Sequence, residues 1–295
     1  MILSGASVQS WFMVNPKQTA LILGGSGRTG SLIGKQLTDR GVRARTASRH
    51  GSNLRFDWDE PETYPAALEG ANRVYLVTPT MRIRYVDPVA RFLDVAEAAG
   101  VAHVTLLSTY NGHRAPPDID VVAVEDQVAN KKGLTYTILR PAWVMQNFTD
   151  EHLPIRDGHL VVPSGGGAEA FVDALDIAEV AVETLLYPAE HAGAAYSLTG
   201  PEALTFDDVA RTIAVVIRRP VTYQDIDQEA WINGAIAAGV PADYAKMLKW
   251  LTGSIIAGQG STPSGDVETV LGRPATSFEA FAQRSAPAFT APEGK

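Results

Sequence analysis

The stretch "TALILGGSGRTGSLIG", residues 19–34, decides the fold. An apolar run enters a turn carrying Gly24, Gly25, Gly27 and Gly30, and an amphipathic segment follows at once. The pattern predicts a buried strand over 19–25 and a helix over 29–41, with Leu32, Ile33 and Leu37 on one face and Gly41 as its stop. Gly24 lets the chain leave the strand sharply, Gly27 lets the main chain approach a pyrophosphate, and Gly30 lets the helix lie close on the sheet. The helix then opens with free N–H groups and a dipole that favour negative charge. A glycine triplet alone is a weak signal. Between a strand and a helix, at the start of a βαβ unit, it stands where a dinucleotide site needs it. Ser26, Arg28 and Thr29 in the same turn are counted with the cofactor-binding residues.

The same alternation continues downstream. Strands are predicted over 42–48, 73–79, 101–109 and 135–142, and helices over 63–70, 86–100 and 121–133. Strands separated by helices pair in parallel through right-handed crossovers. The expected fold is α/β, a Rossmann-type doubly wound parallel sheet over 18–150. A smaller α/β region over 151–295 mainly covers the substrate and returns some segments to the sheet. Its clearest elements are a helix over 174–187, a strand over 194–201 and a helix over 205–219 with Thr205 as N-cap. Residues 1–17 read as a loose extension, and "SAPAFTAPEGK", 285–295, as a frayed end.

Composition removes several function classes. The 295 residues carry a formal net charge of −8, so broad phosphate attraction to nucleic acid is not expected. There is no cysteine, hence no disulfide, thiolate metal site or cysteine nucleophile. The six histidines show no HExxH-like pairing, so no metal is expected. No run of 18 apolar residues occurs, so no membrane span is expected and the cytoplasm is the default compartment. The expected partner is a small-molecule substrate, with a homodimer left open.

The second strand selects the dinucleotide. NAD sites place an acid near its end, whereas this one ends "ASRHGS" with Ser48 and Arg49. A guanidinium matches a 2′-phosphate bidentately, and Arg28 is expected to close over it from the turn, so the cofactor reads as NADPH. In "FDWDE", Asp57 and Trp58 end a third strand, where a carboxylate can meet the adenine amino group or simply form part of an acidic surface. Thr78, Pro79 and Thr80 follow the fourth strand at the edge where ligands lie in such sheets, and their main chain would flank the nicotinamide ribose. Ser108, at the end of the fifth strand, is grouped with them. Pro141 to Trp143 end a later strand and would face the nicotinamide ring.

With "LILGGSGRTG", "VYLVTP", "LTYTILRPAWVMQNF", "DIAEVAVETLL" and "YSLTGPEALTFDDVA" in this order, the chain resembles the NmrA-like atypical short-chain dehydrogenases from about residue 19 to 285. "RFDWDEPETY" and "RVYLVTP" most resemble the branch of the fungal festuclavine and agroclavine dehydrogenases. The resemblance implies an NADPH-binding Rossmann domain with a smaller C-terminal region over the substrate. It also implies two kinds of protein, namely reductases of quinones, isoflavones or iminium ions and nucleotide-sensing regulators without chemistry.

Ordinary short-chain dehydrogenases use a Tyr-x-x-x-Lys pair and a serine to pass a proton as hydride arrives. Laid on "VVAVEDQV" with Glu125 as anchor, the lysine place holds Val121 and the tyrosine place Pro117, while Tyr110 falls at the serine place. An iminium or strongly polarised acceptor needs positioning and exclusion of water but no general acid. The expected function is therefore NADPH-dependent hydride transfer to an iminium, quinone-like or conjugated carbonyl compound. The alternative is a regulator that binds NADP(H) and consumes none, and isomerase or cyclase use of a bound nucleotide also stays open. If an acid is needed, Tyr110 is the first candidate and His113 the second. Trp143, Phe148, Trp231 and Tyr244 either wall an apolar substrate cavity or pack in the core. Asn147 is a substrate contact or a loop hydrogen bond.

Overall fold

The structure, a computed structural model, describes residues 18–150 and 152–290. The extension expected over 1–17 and the last five residues lie outside them. The first half alternates except where β3 directly follows β2: β1 (Thr19–Leu23), α1 (Arg28–Asp39), β2 (Arg43–Ser48), β3 (Leu54–Arg55), α2 (Tyr64–Leu68), β4 (Arg73–Val77), α3 (Val86–Ala98), β5 (His103–Leu107), α4 (Val121–Asn130) and β6 (Thr135–Pro141). The second half mixes short ribbons with longer helices. It holds β7 (Ile155–Arg156), β8 (His159–Val161), β9 (Ala168–Glu169), α5 (Ala174–Leu186), α6 (Pro188–His191) and β10 (Ala194–Leu198). Then come β11 (Leu204–Thr205), α7 (Phe206–Ile217), β12 (Thr222–Gln224), α8 (Gln228–Ala237), α9 (Ala245–Ile256), α10 (Asp266–Leu271) and α11 (Phe278–Thr290).

Among the described residues the main sheet has seven parallel strands in the order β10-β6-β5-β4-β1-β2-β3. The chain reverses direction between β1 and β4, and that switch point opens a crevice at the strands' C-terminal ends. Both faces are covered, so the central strand β1 is apolar on both sides. On β1, Leu21 and Leu23 enter a core with Tyr64, Val89 and Phe92 of α2 and α3, while Ala20 and Ile22 enter a second core with Ile33 and Leu37 of α1 and Ile177 and Ala181 of α5. β10 extends the sheet from beyond residue 150 by pairing Ala194–Leu198 with Thr137–Pro141.

A third core belongs to the C-terminal elements. Phe148, Phe171, Phe206 and Phe278 pack there largely edge to face, with Phe281 tilted against Phe278. The end expected to fray is helical through Thr290, with Pro287 inside the helix, because Phe281 and Phe289 anchor it to this core. Tertiary packing outweighs the weak local propensity.

Candidate active site

The glycine turn brings the start of the following helix close against the end of β1. Gly24 has φ +65°, a conformation side chains rarely adopt. A side-chain carbon at position 30 would lie 2.2 Å from the Gly24 carbonyl oxygen, so only glycine lets α1 start this close to the strand. The helix begins on Gly27, with no side-chain cap and no acid in its first turn. Its first N–H groups therefore face the crevice without an intrahelical partner, and a phosphate fits that need. Thr29 and Gly30 lie in this first turn, where the Thr29 hydroxyl meets the Tyr75 hydroxyl at 2.9 Å.

A cavity of about 360 Å³ opens from the turn. Gly24, Ser26 and Gly27 line it together with Ser48, Arg49, Asp57, Trp58, Thr78, Pro79 and Thr80. Ser26 donates to Ser48 at 3.1 Å and Ser48 to Ser52 at 2.9 Å, which shapes the loop carrying Arg49. Asp57 lies just past β3 and accepts from the Asp59 N–H at 3.1 Å. Trp58 is packed edge-on against Phe56 and Phe92. Arg49 is exposed and in no ion pair with a described residue.

Arg28 does not join Arg49. Its guanidinium donates to Asn147 at 3.0 Å and pairs with Asp150, fastening the glycine turn to the segment after β6. The second guanidinium in the cavity is Arg82, held by Asp59. The sequence shows both arginines but not which one lines the cavity beside the glycine turn.

Two further cavities follow along the same edge. One of about 180 Å³ is lined by Thr78, Ser108, Thr109, Val121 and Tyr244 among others. The other, about 260 Å³, is lined by Thr109, Tyr110, Pro141, Trp143, Asn147, Tyr244 and Trp250 among others. Neighbouring cavities share walls, Thr78 on one side and Thr109, Tyr244 and Leu251 on the other. Ser108 does not point free, since it donates to Glu125 at 2.5 Å, and Arg140 holds that carboxylate from the other side. Tyr110 donates to the Thr262 carbonyl at 3.4 Å, and Asn111 to the Gln259 carbonyl at 2.9 Å, so the segment after α9 is strapped over the strand ends. Burial, helped by the carboxyl of Glu169, pushes the Tyr110 phenol above its ordinary value. Burial alone does the same to Tyr244.

Three expected residues stand elsewhere. Phe148 is 2% exposed inside the phenylalanine core, which takes it out of any substrate wall. Trp231 packs from α8 against that same core. His113 is exposed on its loop beside Arg114. Spacing cannot separate an aromatic that lines a cavity from one that fills a core.

Other wall residues carried weaker signals. Arg82 lies in a basic stretch, "MRIR", just past β4, and Trp250 sits on the apolar face of α9. Glu169 is a single acid inside the apolar run "AEAFV". It lines the 260 Å³ cavity and is 3% exposed. An acid in such a run is the one mark that could have pointed to it.

Comparison with known proteins places this arrangement. The model of a family described as NAD(P)H-binding matches residues 24–188. The chain is 32% identical to the NAD(P)H azoreductase of Xenophilus azovorans, covering 92% of this chain and 99% of that one. It is 30% identical to the agroclavine dehydrogenase of Claviceps fusiformis, covering 89% and 96%. The structure of the Citrobacter sp. triphenylmethane reductase complexed with NADP(H) has the same fold, with a TM-score of 0.70 at 22% identity over 91% of this chain and 99% of that one.

Proposed function

Because the chain belongs to the NAD(P)H-binding family, among the NmrA-like atypical short-chain dehydrogenases and reductases, we propose that it is an NADPH-dependent reductase of a small organic acceptor. The acceptor class is an iminium, quinone-like or conjugated carbonyl compound. One observation carries this reading: the crevice of the glycine turn runs by shared walls into an apolar cavity lined by Trp143, Tyr244 and Trp250. A pure sensor needs the first space but not the second. The oxidoreductase names of the two relatives, an azoreductase and a dehydrogenase, support the same side.

The roles divide as follows. The amides that open α1 hold the bridging phosphates, and Arg49 takes the 2′-phosphate that distinguishes NADPH. Asp57 faces the adenine end, and Thr78 to Thr80 flank the ribose nearer the reacting ring. When bound, the reduced nicotinamide supplies hydride. Pro141 to Trp143, Asn147 and Tyr244 position the acceptor, and the segment strapped down by Tyr110 and Asn111 keeps water out. The ordinary Tyr-x-x-x-Lys relay has no counterpart in this reading, since α4 offers Val121 at the lysine place. Residues 18–150 then mainly serve the cofactor while lending Pro141 to Trp143 and Asn147 to the acceptor wall, and 151–295 mainly serve the acceptor.

Oxidation of NADPH, followed by loss of its absorbance against quinones, enals and cyclic imines, tests the reading. Turnover of at least one class is expected. Tight NADP binding with no turnover on any class would replace the reductase with a sensor. Arg49→Glu is expected to weaken NADPH binding about 10- to 100-fold while changing NADH little. An equal loss for both would remove the phosphate role from Arg49.

A further inference from the structure

The acceptor cavity contains a carboxyl group with no cation beside it. Glu169 is 3% exposed in its wall, and among the described residues no lysine or arginine pairs with it. Its position is built. Leu204 of β11 faces Glu169 across an antiparallel ribbon, and the Ala170 N–H donates to the Gly260 carbonyl at 2.9 Å. A side-chain carbon at position 260 would lie 1.8 Å from Glu169 Oε2, so a glycine there makes the room the carboxyl occupies. The Trp143 N–H is turned to it. A buried charge without a partner is costly, and such a group keeps its proton instead.

The other titratable groups facing this cavity are Tyr110, Tyr244 and His152. His152 is drawn to Asp150, which also neutralises Arg28. The two phenols are pushed upward by burial, away from neutral-pH proton transfer. Burial raises the Glu169 carboxyl to about 7, where an acid is matched to its task.

We propose that Glu169, not Tyr110, is the proton donor of this cavity, and that it suits the enzyme to neutral conjugated acceptors rather than cationic ones. The proposal rests on the reductase reading above. As hydride adds to the electrophilic atom of a quinone or enone, the conjugated π pair shifts onto the carbonyl oxygen. The Glu169 O–H bond breaks and its proton goes to that oxygen, leaving a carboxylate. Water at the cavity mouth reprotonates it before the next cycle. A cationic iminium needs no such proton, because hydride alone neutralises it.

The test compares Glu169→Gln, which keeps the shape but cannot release a proton, with the wild type on one quinone and one cyclic iminium ion. The ratio of quinone to iminium kcat is expected to fall about 100-fold or more. Independently, infrared spectra of wild-type protein without cofactor are expected to show a protonated-carboxyl band that disappears as pH rises through about 7. Glu169→Gln should lack it. That measurement and the wild-type pH profile, falling above about 7 for the quinone only, remain decisive if the variant does not fold. Wild-type protein inert toward both acceptors would sink the reductase reading, and this proposal with it. Turnover with an unchanged ratio, or no titrating band, would leave the reductase standing and remove Glu169 from its chemistry.

Discussion

Gly30 shows how single positions set this site. Its missing side chain is what lets the start of α1 touch the end of β1, since an added carbon would press on the Gly24 carbonyl at 2.2 Å. Gly30→Ala is expected to push the helix start away from the crevice, cost about 1–3 kcal/mol in urea unfolding and weaken NADP binding. Wild-type midpoints and affinity in that variant would refute the close-packing account. The glycines were readable from spacing because their task is local. Arg28 was not, because its partners Asn147 and Asp150 lie more than a hundred residues away. Phe148 and Tyr244 illustrate the same limit: both are aromatic in apolar surroundings, and only packing sends one into a core and the other to a cavity wall.

Helices differ in how their N-termini are finished. α7 starts with a reciprocal cap, in which Thr205 accepts from the Asp208 N–H at 3.1 Å and Asp208 accepts from the Thr205 N–H at 3.0 Å. Asp173 and Asp227 cap α5 and α8. α1 has no such side chain, and its open amides are what a phosphate would fill. Thr205→Ala is expected to cost about 1 kcal/mol, read as a lowered thermal midpoint with NADP affinity retained. A loss of NADP affinity instead would tie α7 to the cofactor end of the molecule. The strands also vary: β5 buries His103 and Thr105 on one face, where His103 meets Thr135 at 2.9 Å and Thr105 meets Thr184 at 3.0 Å. The alternating pattern announced the strand, but the polar partners come from β6 and α5 and depend on the assembled sheet.

Two buried titrating groups give the folded protein opposite responses to pH. Burial lowers His103 from 6.5 to about 4, assisted by Arg73 and His191, so the native state binds fewer protons than the unfolded chain between those values. Its contribution is present above 6.5 and lost as pH falls toward about 4. Glu169 is raised from 4.5 to about 7, so the native state binds more protons, and its contribution is present below 4.5 and lost as pH rises through about 7. Each can change stability by about 1.4 kcal/mol per pH unit, in opposite senses across the window they share. These two contributions nearly cancel in the wild type. Glu169→Gln should expose the His103 slope, losing on the order of 3 kcal/mol more than the wild type on acidification from 6.5 to 4.5. Parallel urea midpoints for both proteins across that range would contradict it.

Periodicity and glycine spacing act over a few residues, so the run from Thr19 to Pro141 carried its alternation of strands and helices and its glycine turn in the chain itself, and the motifs of the family resemblance are likewise local. The walls of the 260 Å³ cavity come from segments as distant as Tyr110, Trp143, Glu169 and Gly260. Their meeting depends on loops and short ribbons with little periodic signal. Which arginines line the crevice beside the glycine turn, which aromatics line a cavity and which carboxyl loses its water depend on folding, because burial and long-range contact are properties of the assembled chain.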